Sequence, residues 1–139
     1  MIHLPIDFSI DHIGVAVRSL TEGRKSYEAM GLKVSDVEEV VSEKVRVLMI
    51  ELKNSSRIEL LEPTSNDSVI AKFLEKRGPG VHHICLRVDD IQAVIARLKA
   101  TDVTLIHEKP FKGAHNCLVA FIHPKSVGGV LIELSQKLS

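Results

Sequence analysis

The stretch DHIGVAV, Asp11 to Val17, returns 71 residues later as HHICLRV, His82 to Val88. Both copies alternate apolar and other residues with the period of two expected of a half-buried strand. Ile13, Val15 and Val17 match Ile84, Leu86 and Val88. Each strand runs into a helix. Leu20, Gly23, Tyr27 and Met30 recur at three- and four-residue steps, as do Ile91, Val94, Ile95 and Leu98, which gives each helix one apolar stripe. Ser19-Leu20-Thr21-Glu22 reads as a capping box over the first helix, and Asp90 is the matching cap of the second. Gly31 and Asp102, again 71 apart, end the two helices.

Strand-rich sequence follows each helix: residues 32–41, 44–52 and 57–61 in the first half, then 103–107, 116–122 and 129–134 in the second. Lys53-Asn54-Ser55-Ser56 reads as a hairpin turn. The last strands match with the offset grown to 74, Arg57-Ile58-Glu59-Leu60 falling on Leu131-Ile132-Glu133-Leu134. Three residues inserted in one second-half loop, around Gly113, account for the change. Val69, Ile70, Phe73 and Leu74 mark a linking helix that Gly78-Pro79-Gly80 ends. The expected fold is α+β: two tandem β-α-β-β-β modules forming a curved eight-stranded mixed sheet. Residues 1–139 make a single domain, with module 1 at about 8–63, the linker helix at about 66–79 and module 2 at about 80–136.

Composition narrows the function. The 18 basic and 18 acidic residues cancel, so the chain lacks the basic surplus needed to grip nucleic acid or an anionic membrane. With no Trp, one Tyr and four Phe, a base-stacking platform is poorly supplied. Cys85 and Cys117 are too few for a disulfide framework and read as reduced thiols. The N-terminus lacks the features of a secretion signal, and no stretch reaches the ~20 apolar residues of a membrane span. A cytoplasmic protein is expected.

The alternation also assigns faces. With Ile13, Val15 and Val17 under the helix, His12, Gly14 and Ala16 take the opposite face, as His83, Cys85 and Arg87 do in the second copy. Ile58 and Leu60, like Ile132 and Leu134, point to the helices, which turns Glu59 and Glu133 away. Any one of these residues alone reads as a solvated or hydrogen-bonded strand residue. Together, two imidazoles and two carboxylates on matching strands are a ligand set suited to a divalent first-row metal.

The segments DHIGVAV, RIELLEP, KFLEKRGPGVHHICLRVDDI and HPKSVGGVLIEL resemble the vicinal oxygen chelate (glyoxalase/bleomycin resistance/dioxygenase) superfamily, and within it most closely the methylmalonyl-CoA epimerases. The resemblance spans nearly the whole chain. It implies that His12, Glu59, His83 and Glu133 hold one divalent ion (Co2+, Zn2+, Ni2+ or Mn2+), and it selects His83 over the adjacent His82. It further implies an acyl-CoA substrate, a homodimer, and an epimerisation of (2R)- and (2S)-methylmalonyl-CoA. In that reaction two glutamates remove and return the C2 proton through a metal-stabilised enolate. One of them corresponds to Glu133. Relatives often carry Pro-Glu-Gln before the third strand of module 1. Here an ungapped match sets Ser42 at the Glu position, and a one-residue slip sets Glu43 there. Glu43 is the second acid/base on this reading, with Ser42 or water as the alternatives.

His123-Pro124-Lys125-Ser126 reads as a loop, and the resemblance turns Lys125 and Ser126 toward the substrate carboxylate or the coenzyme A portion. Arg87 either pairs with Glu133 or meets an anionic substrate. Cys85 reads as a small filler, the Glu75-Lys76-Arg77 run as a solvated helix end, and His3, His107 and His115 as exposed side chains. Two alternatives to the epimerase stand beside it. One is a glyoxalase I-like lactoylglutathione lyase, which uses the same two-His, two-Glu arrangement. The other is a non-catalytic small-molecule binding protein on the same scaffold.

Overall fold

The computed structural model describes residues 6–139; His3 lies outside them. The chain packs as two compact units, one of His12–His82 and one of His83–Ser139 with the described residues up to Asp11. In the first, β1 (Ser9–Ala16), α1 (Leu20–Ala29), β2 (Glu38–Val40), β3 (Val45–Glu51) and β4 (Arg57–Pro63) follow in order, and α2 (Val69–Arg77) closes it. The strands hydrogen-bond in the order β2-β3-β4-β1, with only β4 and β1 parallel. In the second, β5 (Gly80–Arg87), α3 (Ile91–Lys99), β6 (Phe111–Lys112), β7 (Cys117–Ile122) and β8 (Leu131–Lys137) repeat the plan. Their order is β5-β8-β7-β6, again with one parallel pair, β5 with β8. These are the expected eight strands, in mixed pairing, of two β-α-β-β-β modules.

The repeat holds down to single hydrogen bonds. Ile13 pairs with Ile58 and Ile84 with Ile132; Gly14 pairs with Glu59 and Cys85 with Glu133. The Val17 amide donates to the Leu61 carbonyl and the Val88 amide to that of Ser135, both at 2.9 Å. Ser19 Oγ caps α1 by accepting from the Glu22 amide, and Asp90 caps α3 by accepting from Ala93. A second free amide in each first turn is taken by an equivalent side chain, Leu20 donating to Glu62 Oε1 and Ile91 to Gln136 Oε1.

Four expectations need correction. The strand expected at residues 103–107 reduces to one bridge, Leu105 with Ile122, and the named strand is Phe111–Lys112. The strand expected at 32–41 is likewise a bridge, Val34 with Ile50, followed by Glu38–Val40. Both interruptions carry extra residues relative to the partner strand, as a bulge does, and Pro110 cannot donate to a ladder. The three inserted residues are not in one loop. The offset between modules is 71 at Leu105 against Val34, 73 at Phe111 against Glu38, 72 at Val119 against Val47 and 74 at Glu133 against Glu59. Two residues therefore enter the interruption, one leaves the turn near Gly113, and two enter the His123–Val130 loop. Met30, placed on the α1 stripe, is the C-cap and 72% exposed.

The sheet faces carry one packing that the alternation alone does not show. As expected, Leu20 of α1 packs with Leu48, Ile50 and Leu60, and Ile91, Val94 and Ile95 of α3 with Ala120, Ile122 and Leu134. The opposite face of the first unit is not bare. Ile70 and Leu74 of α2 cover its far end, over Ala16, Val45, Val47 and Leu61; the small Ala16 leaves room for that helix. Asn54 and Ser55 adopt φ of 63° and 62° in the β3–β4 hairpin, which confirms the turn. Among the described residues no helix is long and apolar enough to cross a membrane.

Candidate active site

Each unit holds one His-Glu pair at the equivalent position. His12 of β1 pairs with Arg57 of β4, and Glu59, two residues along β4, pairs with Gly14; the two side chains meet with Nε2 and Oε1 at 3.6 Å. His83 of β5 and Glu133 of β8 meet with the same atoms at 3.4 Å. Both histidines are buried, at 8% and 6% exposure, and both carboxylates are only slightly exposed, so each pair sits where water screens it little. The donor type fits a divalent ion: imidazole nitrogen and carboxylate oxygen are ligands shared by zinc, cobalt, nickel and manganese sites.

The other predicted residues are distributed as follows. Glu43 ends a short 3₁₀ turn, Val41–Glu43, ahead of β3, and both it and Ser42 are exposed. Ser126 is structural as well as polar, its Oγ accepting from the Thr104 amide at 2.9 Å. His123 Nδ1 accepts from the Lys125 amide at 3.1 Å, which leaves the Lys125 ammonium exposed at a concave surface shared with Asp102, Val103 and Thr104. Arg87 donates from Nε and Nη2 to Asp11 Oδ1, at 3.0 and 2.5 Å.

Asp11 is the residue that sequence reasoning passed over; the signal for it was charge complementarity, an acid opening the first strand copy and a base closing the second. His107 is exposed as expected, yet its ring lies 4.9 Å from that of Phe111. His82 is half-buried edge-on against Phe73, with centroids 5.1 Å apart, and burial pushes its pKa below the ordinary value. Neither Cys85 nor Cys117 is in a disulfide among the described residues.

The family model described as the Glyoxalase/Bleomycin resistance protein/Dioxygenase superfamily matches residues 11–121. The chain belongs to that superfamily. Among its relatives in the superfamily, the mitochondrial methylmalonyl-CoA epimerase of Dictyostelium discoideum is 40% identical over 130 residues, 92% of this chain and 78% of that one. The ethylmalonyl-CoA/methylmalonyl-CoA epimerase of Cereibacter sphaeroides is 38% identical over 130 residues, 91% of this chain and 96% of that one. A solved methylmalonyl-CoA epimerase in complex with methylmalonyl-CoA superposes with a TM-score of 0.83 at 34% identity, covering 94% of both chains. This likeness makes the chain an enzyme, an isomerase of the epimerase kind.

Proposed function

We propose that the chain interconverts (2R)- and (2S)-methylmalonyl-CoA by removing the C2 proton and returning it on the opposite face. The duplicated His-Glu pair carries this reading: His12 with Glu59 and His83 with Glu133, at matching positions of the two modules. The activity of the methylmalonyl-CoA epimerase relatives supplies the substrate.

The C2 hydrogen lies between a carboxylate and a thioester, and its removal leaves negative charge on their oxygens. That charge needs fixed positive partners. Two ligands held at about 2.0–2.2 Å from one ion stand about 2.8–3.6 Å apart at octahedral to tetrahedral angles, and the two pairs, at 3.6 and 3.4 Å, fall at the wide end of that spacing. By the family resemblance, His12, Glu59, His83 and Glu133 hold one divalent ion (Co2+, Zn2+, Ni2+ or Mn2+). When bound, it supplies Lewis-acid charge to the thioester and carboxylate oxygens.

The protein groups do the rest. Glu133 exchanges the proton on one face of C2 and Glu43 on the other, entering from the turn before β3. Lys125, Ser126 and Arg87 are assigned to the anionic parts of the acyl-CoA. The enzyme acts in a reducing compartment, the cytoplasm, as a homodimer.

Solvent exchange tests the function. Incubating either epimer with Co2+-loaded protein in D2O introduces deuterium at C2, and its absence overturns the assignment. Methylglyoxal with glutathione serves as the control for lactoylglutathione lyase chemistry. If Glu43→Gln keeps full turnover while Glu133→Gln is dead, the second proton belongs to Ser42 or water instead.

A further inference from the structure

Phe121 stands directly opposite Glu133 in the antiparallel β7–β8 pair. Residues so paired leave the same face of the sheet, with Cβ atoms about 4.5–5.5 Å apart. The neighbours of Phe121 point the other way, Ala120 and Ile122 lying in the core beneath α3. The Phe121 ring is only half-buried and takes its support from other rings. It stacks on Phe111 with centroids 6.2 Å and planes 27° apart. His107 closes the group at 6.2 Å from Phe121 and 4.9 Å from Phe111. A ring held by two others keeps its place.

We propose that Phe121 is the wall that sets the size of the C2 substituent this enzyme accepts. The inference rests on the epimerase reading above, because it takes Glu133 as the group that exchanges the C2 proton. Such exchange requires a carboxylate oxygen within about 3 Å of the carbon that carries the proton. The substituent on that carbon then lies beside the residue opposite Glu133. In the first unit the residue opposite Glu59 is Met49, an unbranched side chain that yields to a larger group where a stacked ring does not. The wall therefore belongs to the Glu133 side. One methylene against a fixed apolar wall changes kcat/KM by about tenfold or more.

The test compares methylmalonyl-CoA with ethylmalonyl-CoA in the metal-loaded protein. Wild type favours the methyl substrate by about tenfold in kcat/KM. Phe121→Ala shrinks that preference by about tenfold, chiefly through faster turnover of the ethyl substrate, and Phe121→Leu falls between. Thermal melts establish that the variants fold; should Phe121→Ala fail to, the Leu variant decides. An unchanged preference in active variants overturns the wall and leaves the epimerase standing. A wild type that exchanges deuterium into neither substrate overturns both.

Discussion

Asp11 Oδ1 accepts two hydrogen bonds from Arg87, from Nε at 3.0 Å and Nη2 at 2.5 Å, directly beside the ligand candidate His12 in sequence. Asp11 is 8% exposed. Stripping the partner from a fully buried charge costs about 3–5 kcal/mol. The Arg87 side chain is 35% exposed, so solvent screening brings the expected cost of Arg87→Met down to about 1–2 kcal/mol. Urea denaturation measures it. The Asp11→Asn/Arg87→Met double variant loses less than the two single losses combined, and strict additivity would mean the pair contributes no coupling.

His82 sets part of the acid limit of stability. Burial lowers its folded pKa from 6.5, so the unfolded chain takes up a proton first as pH falls. Between the two values the unfolded state holds more protons, and stability falls as pH drops below about 6.5. The loss ends once pH is below the folded value. His82→Phe, which keeps a ring against Phe73, flattens this part of the stability curve. A slope as steep in the variant as in wild type assigns the acid loss to other groups.

Much of the fold is legible in the sequence because its signals are local. The alternation around His12 and His83, the caps at Ser19 and Asp90 and the stripe Ile91, Val94, Ile95 each follow from periods of two and 3.6. They also carry the two His-Glu pairs, since the same alternation turns Glu59 and Glu133 away from the helices. Where two strands meet is a tertiary matter. Leu105 and Phe111 both sit in strand-like sequence, and only the pairing with Ile122 and Val119 decides which becomes a bridge and which a strand. Asp11–Arg87 and the His107–Phe111–Phe121 rings stayed hidden for the same reason. So did the packing of α2 on Ala16 and Leu61, whose alternation alone reads as an open face.

Gly23 marks the closest approach of α1 to the sheet. A Cβ there would lie 2.9 Å from Leu60 Cδ1 and 3.9 Å from Val17 Cγ1. Alanine gains about 1 kcal/mol of helix propensity over glycine, while overpacking a filled core costs about 1–3 kcal/mol. Leu60 is fully buried between Leu48 and Ile50, with little room to withdraw, so the clash wins. Gly23→Ala is expected to lose about 1 kcal/mol, and adding Leu60→Val returns part of it. A stabilised single variant in urea denaturation would show that Leu60 moves aside.

The two His-Glu pairs also predict how metal couples to stability. An ion that binds the folded chain at 100 times its Kd adds about 2.7 kcal/mol, which raises the melting midpoint by several degrees in a domain of this size. Co2+ added to chelator-treated protein should give that rise and EDTA should reverse it. If all four side chains share one ion, His12→Ala and His83→Ala each remove a ligand and each abolish the rise, although they lie 71 residues apart in different modules. His115→Ala, at an exposed position, keeps it. A rise lost in only one of the two ligand variants would instead assign the ion to a single module's pair, and would remove the reason for the duplicated site.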